Sequence, residues 1–171
     1  PAARCATQAL LFQRPPLLRA SPEWMGSTGV FGHIATVPES GPGVDYFHTA
    51  RKLHMDEQER NRWYSFIDYG DVMHSFNPAK DLWRFDEGGY AWLNNEGQIS
   101  DGYWMAYLAT GEERTYRFAE AMTRHVQDVD MFQIGPLAGR GMRHNVNHWG
   151  GTNRERRMTI AQNKRIYHFL S

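Results

Sequence analysis

The sequence predicts a mainly α protein, built from helical hairpins with long polar loops at one rim. Three observations predict it. An apolar stripe at helical spacing runs through Phe118, Met122, His125 or Val126, and Val129. A second helical pattern ends near Ala109, so only a very short turn separates the two, and they must be antiparallel neighbours. Two long runs rich in charge and aromatics, 66–87 and 131–151, lie outside these patterns.

Taken in order, residues 1–50 show little periodicity. Pro15, Pro16, Pro22, Pro38 and Pro42 punctuate them, with glycines between. We expect an irregular segment packing on the helices, with 51–171 as the helical domain. His33 and His48 read as surface or structural histidines. Lys52 to Tyr64 is charged and free of Pro and Gly, and is expected to be a helix. The first polar loop follows: Asp68-Tyr-Gly-Asp-Val-Met-His74, then Asn77-Pro78, then Trp83-Arg-Phe-Asp-Glu-Gly-Gly89. Asp68 and Asp71 read as turn or cap residues in preference to calcium ligands.

Tyr90 to Ala109 is helical, with Gly97 and Gly102 expected to divide it. Thr110-Gly-Glu-Glu113 has the form of a capping box, with Thr110 as the cap and Glu113 reaching back. The helix it opens should run over about 111–130. His125 on its stripe reads as a satisfied core histidine. The second polar loop begins after Met131, and a basic helix, Glu155 to Tyr167, is expected to close the chain.

The densest chemistry is Arg140-Gly-Met-Arg-His-Asn-Val-Asn-His-Trp149, bracketed by glycines. Arginine grips carboxylates in a two-pronged bond. Histidine moves protons near neutral pH, and asparagine both donates and accepts hydrogen bonds. Arg143, Asn145, Asn147 and Trp149 would share one side of an extended segment, with His144 and His148 on the other. Such a set suits a polar, anionic ligand. The i, i+4 spacing of His144 and His148 also suits a metal on a helix, but the flanking glycines disfavour zinc.

Composition bounds the rest. The chain has 171 residues, with 41% hydrophobic, 22% charged and 13% aromatic. That is enough for one domain with a core. Net charge is zero, but residues 131–171 carry seven basic groups and one acidic, against nine basic and sixteen acidic over 45–130. The basic end fits an anionic ligand or docking on the acidic middle. Nucleic acid is not expected, because the aromatics do not interleave with the basic residues. No run reaches the ~20 apolar residues of a membrane span, so no membrane partner is expected. The single cysteine, Cys5, excludes an internal disulfide and a cysteine-based zinc site. This fits a soluble bacterial-type protein, cytoplasmic or secreted. The chain begins at Pro1, as expected of a processed chain or a piece of a longer one.

Four ordered runs carry a family resemblance: Phe66-Ile-Asp-Tyr-Gly-Asp-Val-Met-His74, Trp83-Arg-Phe-Asp-Glu-Gly-Gly-Tyr-Ala-Trp-Leu-Asn-Asn95, Phe118-Ala-Glu-Ala-Met-Thr-Arg-His125 and Gly141-Met-Arg-His-Asn-Val-Asn-His-Trp149. They resemble the C-terminal α/α-toroid domain of the exo-rhamnogalacturonan lyase-like proteins, polysaccharide lyase family 26. The resemblance runs from about Trp24 to Arg165. It implies part of an (α/α) toroid, since a closed ring of six hairpins needs about 300 residues. It also implies a lyase acting on pectic rhamnogalacturonan, with β-rich domains and the remaining toroid in a longer parent, or self-association, as partners.

An elimination at galacturonate needs three roles. A base takes the C5 proton, a clamp holds the carboxylate, and an acid protonates the leaving oxygen at C4. Arg143 with Asn145 is the natural clamp, with Arg84 contributing from the other loop. His144 and His148 are the candidate base and acid, and Tyr69, Tyr90 and His74 are reserves for the acid. Asn147 and Trp149 complete the expected substrate contacts. No cofactor is required, although a calcium bridging the substrate carboxylate and Asp68 or Asp71 stays open. Two other readings also stay open. One is a hydrolase on unsaturated uronyl oligosaccharides using Asp86 or Glu87. The other is a non-catalytic module that binds acidic polysaccharide.

Overall fold

The computed structural model describes residues 4–5, 17–37, 41, 43–65, 69–73, 75–83, 92–93, 98–139 and 162–170, with backbone alone for 162–165. Its centre is the expected αα-hairpin, α3 (Ile99–Thr110) and α4 (Glu113–His125). Trp104 Nε1 donates to Thr123 Oγ1 at 2.9 Å, and the Tyr107 and Tyr116 rings meet at 5.1 Å. Those pairings fix the antiparallel order.

The core fills this seam. Trp104, Leu108 and Ala119 are wholly buried, with Phe118 and Met122 beside them. The helix α3 buries most of its circumference, as its all-round apolar sequence requires. Gly102 does not divide it. The helix passes through that residue, which is exposed and leaves open space where a Cβ would be.

The turn differs from the expected capping box. Thr110 is the last residue of α3, and its hydroxyl donates back to the Ala106 carbonyl at 2.7 Å. Gly111 then takes a left-handed conformation, φ 66°, and its N–H reaches the Tyr107 carbonyl. This is the glycine end that helices commonly use. The N-cap of α4 is Glu112, whose carboxylate accepts from the Thr115 hydroxyl at 2.7 Å. The local pattern therefore marked the break correctly but misplaced the cap by two residues.

Around the hairpin, α1 (Pro22–Ser27) is capped by Ser21 and opens on Pro22, which suits a first helical position. It packs on the turn end, where Pro22 touches Gly111. The helix α2 (Val44–Asn61) starts well before Lys52 and runs across residue 50. Buried Arg51 joins α2 to the start of α4 through Glu112 and through Thr115 Oγ1, the latter at 2.8 Å. Arg114 pairs with Asp56 at 2.6 Å. The helix α5 (Gln162–Leu170) lies along the hairpin, with Tyr167 6.0 Å from the Trp104 ring. The earlier part of the expected closing helix lies outside the described residues.

The first polar run holds a small hairpin that periodicity did not suggest. Here β1 (Phe76–Asn77) pairs antiparallel with β2 (Leu82–Trp83). Its anchor is Trp83, 5% exposed, which meets Phe76 and Trp63 and donates to Glu57 Oε2 at 2.8 Å. Two-residue strands leave too little alternation to read from sequence. No described helix is long and apolar enough to cross a membrane.

Candidate functional site

The polar rim is built at the end of the hairpin opposite Gly111. Its foundation is a buried cluster: His125 at the end of α4, Asp130 five residues on, and Asp71 from the first polar loop. All three are at most 3% exposed. His125 Nδ1 donates to the Tyr69 carbonyl at 2.9 Å. Its Nε2 faces Asp130 Oδ1 at 3.4 Å and Asp71 Oδ2 at 3.7 Å. The Val72 N–H donates to Asp71 Oδ1 at 2.7 Å.

The backbone explains how Asp130 gets there. In an α-helix, five residues carry a side chain about 140° around the axis, away from the starting face. After His125 the helix widens into a π turn, Val126–Asp130, closed by Met131 N–H to the Val126 carbonyl at 3.0 Å. The wider turn returns residue 130 above residue 125. Such turns recur at functional sites.

Gly70 explains how the loop gets close. It has φ 88°, where an L side chain is strained. A Cβ there would fall 2.6 Å from the Ala121 carbonyl carbon and 3.0 Å from His125 Cβ, with the carbonyl oxygen closer still. Only glycine lets the loop lie on α4.

The electrostatics follow. Burial opposes charge on His125, but Asp130, Asp71 and the Tyr69 carbonyl outweigh it and push the imidazole up to about 9. The ring is thus an imidazolium at neutral pH, and it holds the two carboxylates and the loop backbone together. His54 goes the other way. It is packed among Trp83 and Tyr103, its Nδ1 is 3.1 Å from the Tyr103 hydroxyl, and burial lowers it to about 4.

Together these shifts predict a stability maximum near pH 6.5. The raised His125 contributes fully below its ordinary value of 6.5, and that contribution is lost as pH rises through about 9. The lowered His54 favours folding above 6.5, and that advantage is lost as pH falls toward about 4. Each limb is worth roughly 3 kcal/mol. Thermal midpoints measured across this range should fall on both sides, and His54→Gln should flatten the acid side. A midpoint constant from pH 4.5 to 9 would contradict both assignments.

Of the expected site residues, the described part contains Tyr69. It is half-exposed on the rim, with its ring 6.3 Å from that of Tyr64. His74, Arg84, Tyr90, Arg143, His144, Asn145, Asn147, His148 and Trp149 lie outside the described residues, as do Asp68, Asp86 and Glu87. The described residues bring Tyr69–Asp71, at the base of the first polar loop, against His125 at the end of α4, and Asp130, the residue before Met131, reaches the same imidazole. Asp71 takes the structural role, with its carboxylate buried against Val72 and His125. Sequence reading placed His125 in the core but missed its two carboxylates. No local spacing announces a partner 54 positions away in Asp71, or a π turn.

A helical hairpin closed by a glycine turn and flanked by further helices is the unit from which an α/α toroid is built. The model of the PcRGLX-like protein C-terminal alpha/alpha toroid domain matches residues 15–171, and the chain belongs to that family. This is the family to which the ordered motifs pointed. The chain is also similar to the protein named "Uncharacterized protein YetA" of Bacillus subtilis (strain 168), at 38% identity over 164 residues. The match covers 94% of this chain and 19% of that relative, so the chain spans about a fifth of its length.

Proposed function

We propose that this domain forms part of a polysaccharide lyase that cleaves rhamnogalacturonan-type pectin by β-elimination at galacturonate. The observation that carries the reading is the anchoring of the first polar loop at the end of α4. The Asp71–His125–Asp130 cluster fastens the base of one polar loop where the other begins. The second loop carries the basic set that a uronate needs. In this reading Arg143, supported by Asn145 and by Arg84 from the first loop, clamps the C5 carboxylate and stabilises the charge that develops on it as the proton leaves. His144 and His148 supply the base and the acid, and His74 and Tyr90 lie in the neighbouring loop. Asn147 and Trp149 hold the sugar.

The domain acts within its longer parent, which contributes the remaining hairpins and β-rich domains. A cavity of about 210 Å³ beside α1 is lined by Leu18, Trp24, Phe31, Tyr107 and Phe169 together with Arg19, room for one or two side chains of a neighbouring hairpin. The clamp is tested by Arg143→Lys in the full-length parent. A point charge cannot replace a bidentate grip, so kcat/KM on rhamnogalacturonan should fall roughly 10- to 100-fold, a loss of about 1.4–2.7 kcal/mol. Unchanged kinetics in Arg143→Lys would remove Arg143 from the site.

A further inference from the structure

Two tyrosines on the rim are left exposed by the fold. Tyr64 is 44% exposed and Tyr69 is 50% exposed, yet both are firmly seated. The Tyr64 N–H donates to the Arg62 carbonyl at 2.8 Å, beside the left-handed end of α2. The Tyr69 N–H donates to the Ser65 carbonyl at 3.0 Å, and its own carbonyl is held by His125. Gly70, pressed on α4, leaves this backbone little room to move. The rings are 6.3 Å apart and inclined at 38°. Two half-exposed rings side by side on a held backbone present flat apolar faces with a polar tip, the surface on which a sugar ring can stack.

We propose that Tyr64 and Tyr69 form a stacking subsite for a neutral pyranose, the rhamnosyl residue of the polymer. The inference rests on the elimination reading for the identity of the polymer. The geometry sets the mode of contact. A sugar sandwiched between two rings needs two contacts of about 3.5–4.0 Å, or roughly 7–8 Å between centroids. The observed spacing is too short, so the sugar lies across the outer faces, with its C–H surface and methyl group on the rings.

The charge sets the choice of sugar. Burial and the neighbouring Glu59 carboxylate raise the Tyr64 hydroxyl to about 12. Arg114, the cation that also acts on Tyr64, is paired with Asp56. A uronate would meet Glu59 as a like charge, whereas a neutral deoxy sugar meets no such penalty.

The test uses the full-length parent and two probes, methyl α-rhamnopyranoside and methyl α-galactopyranosiduronate. Saturation-transfer NMR should show transfer to the rhamnoside methyl, weaker transfer to the uronate, and at least a fivefold loss of the rhamnoside signal in Tyr64→Ala. Tyr69→Phe keeps the ring and should retain the signal. On the polymer, Tyr64→Ala should raise KM roughly 3- to 10-fold, as one aromatic contact is worth, with little change in kcat. Thermal midpoints confirm that the variants fold. Equal binding by wild type and Tyr64→Ala, or preference for the uronate, would overturn the subsite. Loss of kcat in Tyr69→Phe at unchanged KM would make Tyr69 the acid and also overturn it. The two proposals separate cleanly. Ring-dependent rhamnoside binding without polymer cleavage sinks the elimination reading alone. Cleavage insensitive to Tyr64 sinks the subsite alone.

Discussion

Gly70→Ala should destabilise the protein by about 3–5 kcal/mol. Two costs add. The residue sits at φ 88°, which alanine adopts only with strain. The added carbon would also overlap the backbone carbonyl of Ala121, which is part of α4 and cannot step aside without breaking helical hydrogen bonds. The loop would have to lift off the helix. The Tyr69 carbonyl would then leave His125, and Asp71 and Asp130 would lose their shared cation. In a protein of this size the thermal midpoint should drop by roughly 6–20 °C. Gly102→Ala is the control. It lies within α3, with open space at its Cβ position, and should stabilise by about 0.5–1 kcal/mol. Equal midpoints for wild type and Gly70→Ala would mean that the loop does not lie on α4 as described.

His144→Ala or His148→Ala in the full-length parent should lower turnover roughly 10²- to 10⁴-fold, as loss of an acid or base group does. The motivation is the two histidines within one basic, glycine-bracketed loop that starts on the rim. Both should retain the wild-type melting transition. His125→Ala provides the contrast. It removes the buried cation between Asp71 and Asp130, so stability should collapse together with activity. If neither His144→Ala nor His148→Ala reduced turnover, a carboxylic acid such as Asp86 or Glu87 would become the better candidate, and with it a hydrolase.

Much of the fold was legible because it is carried by local pattern. The hairpin followed from an apolar stripe, a glycine and a short turn. The all-round apolar face of α3 announced its burial. The errors have physical causes. Thr110 bonds back to Ala106 inside its own helix, an option that competes with capping. Gly102 is tolerated in α3 because tertiary packing outweighs its cost. The start of α2 was missed because its first turn, Val44 to Phe47, follows a proline- and glycine-rich stretch and buries only Val44.

Residue chemistry singled out the two polar loops, and the described residues set Tyr69–Asp71, at the base of the first, against the end of α4. The link between them was not legible. A histidine charged by two carboxylates from different segments depends on a π turn and on one glycine pressed on a helix. Neither has a sequence signature that distinguishes it from an ordinary core histidine and an ordinary loop glycine.

The most direct measurement is of the product made by the full-length parent from rhamnogalacturonan. Elimination leaves a C4–C5 double bond in the uronate at the new chain end, which absorbs in the ultraviolet and adds no water to the combined product mass. Growing absorbance is expected, with product masses that sum to that of the substrate. Products carrying one added water and no new absorbance would contradict elimination, and so would clean binding of the polymer without any cleavage.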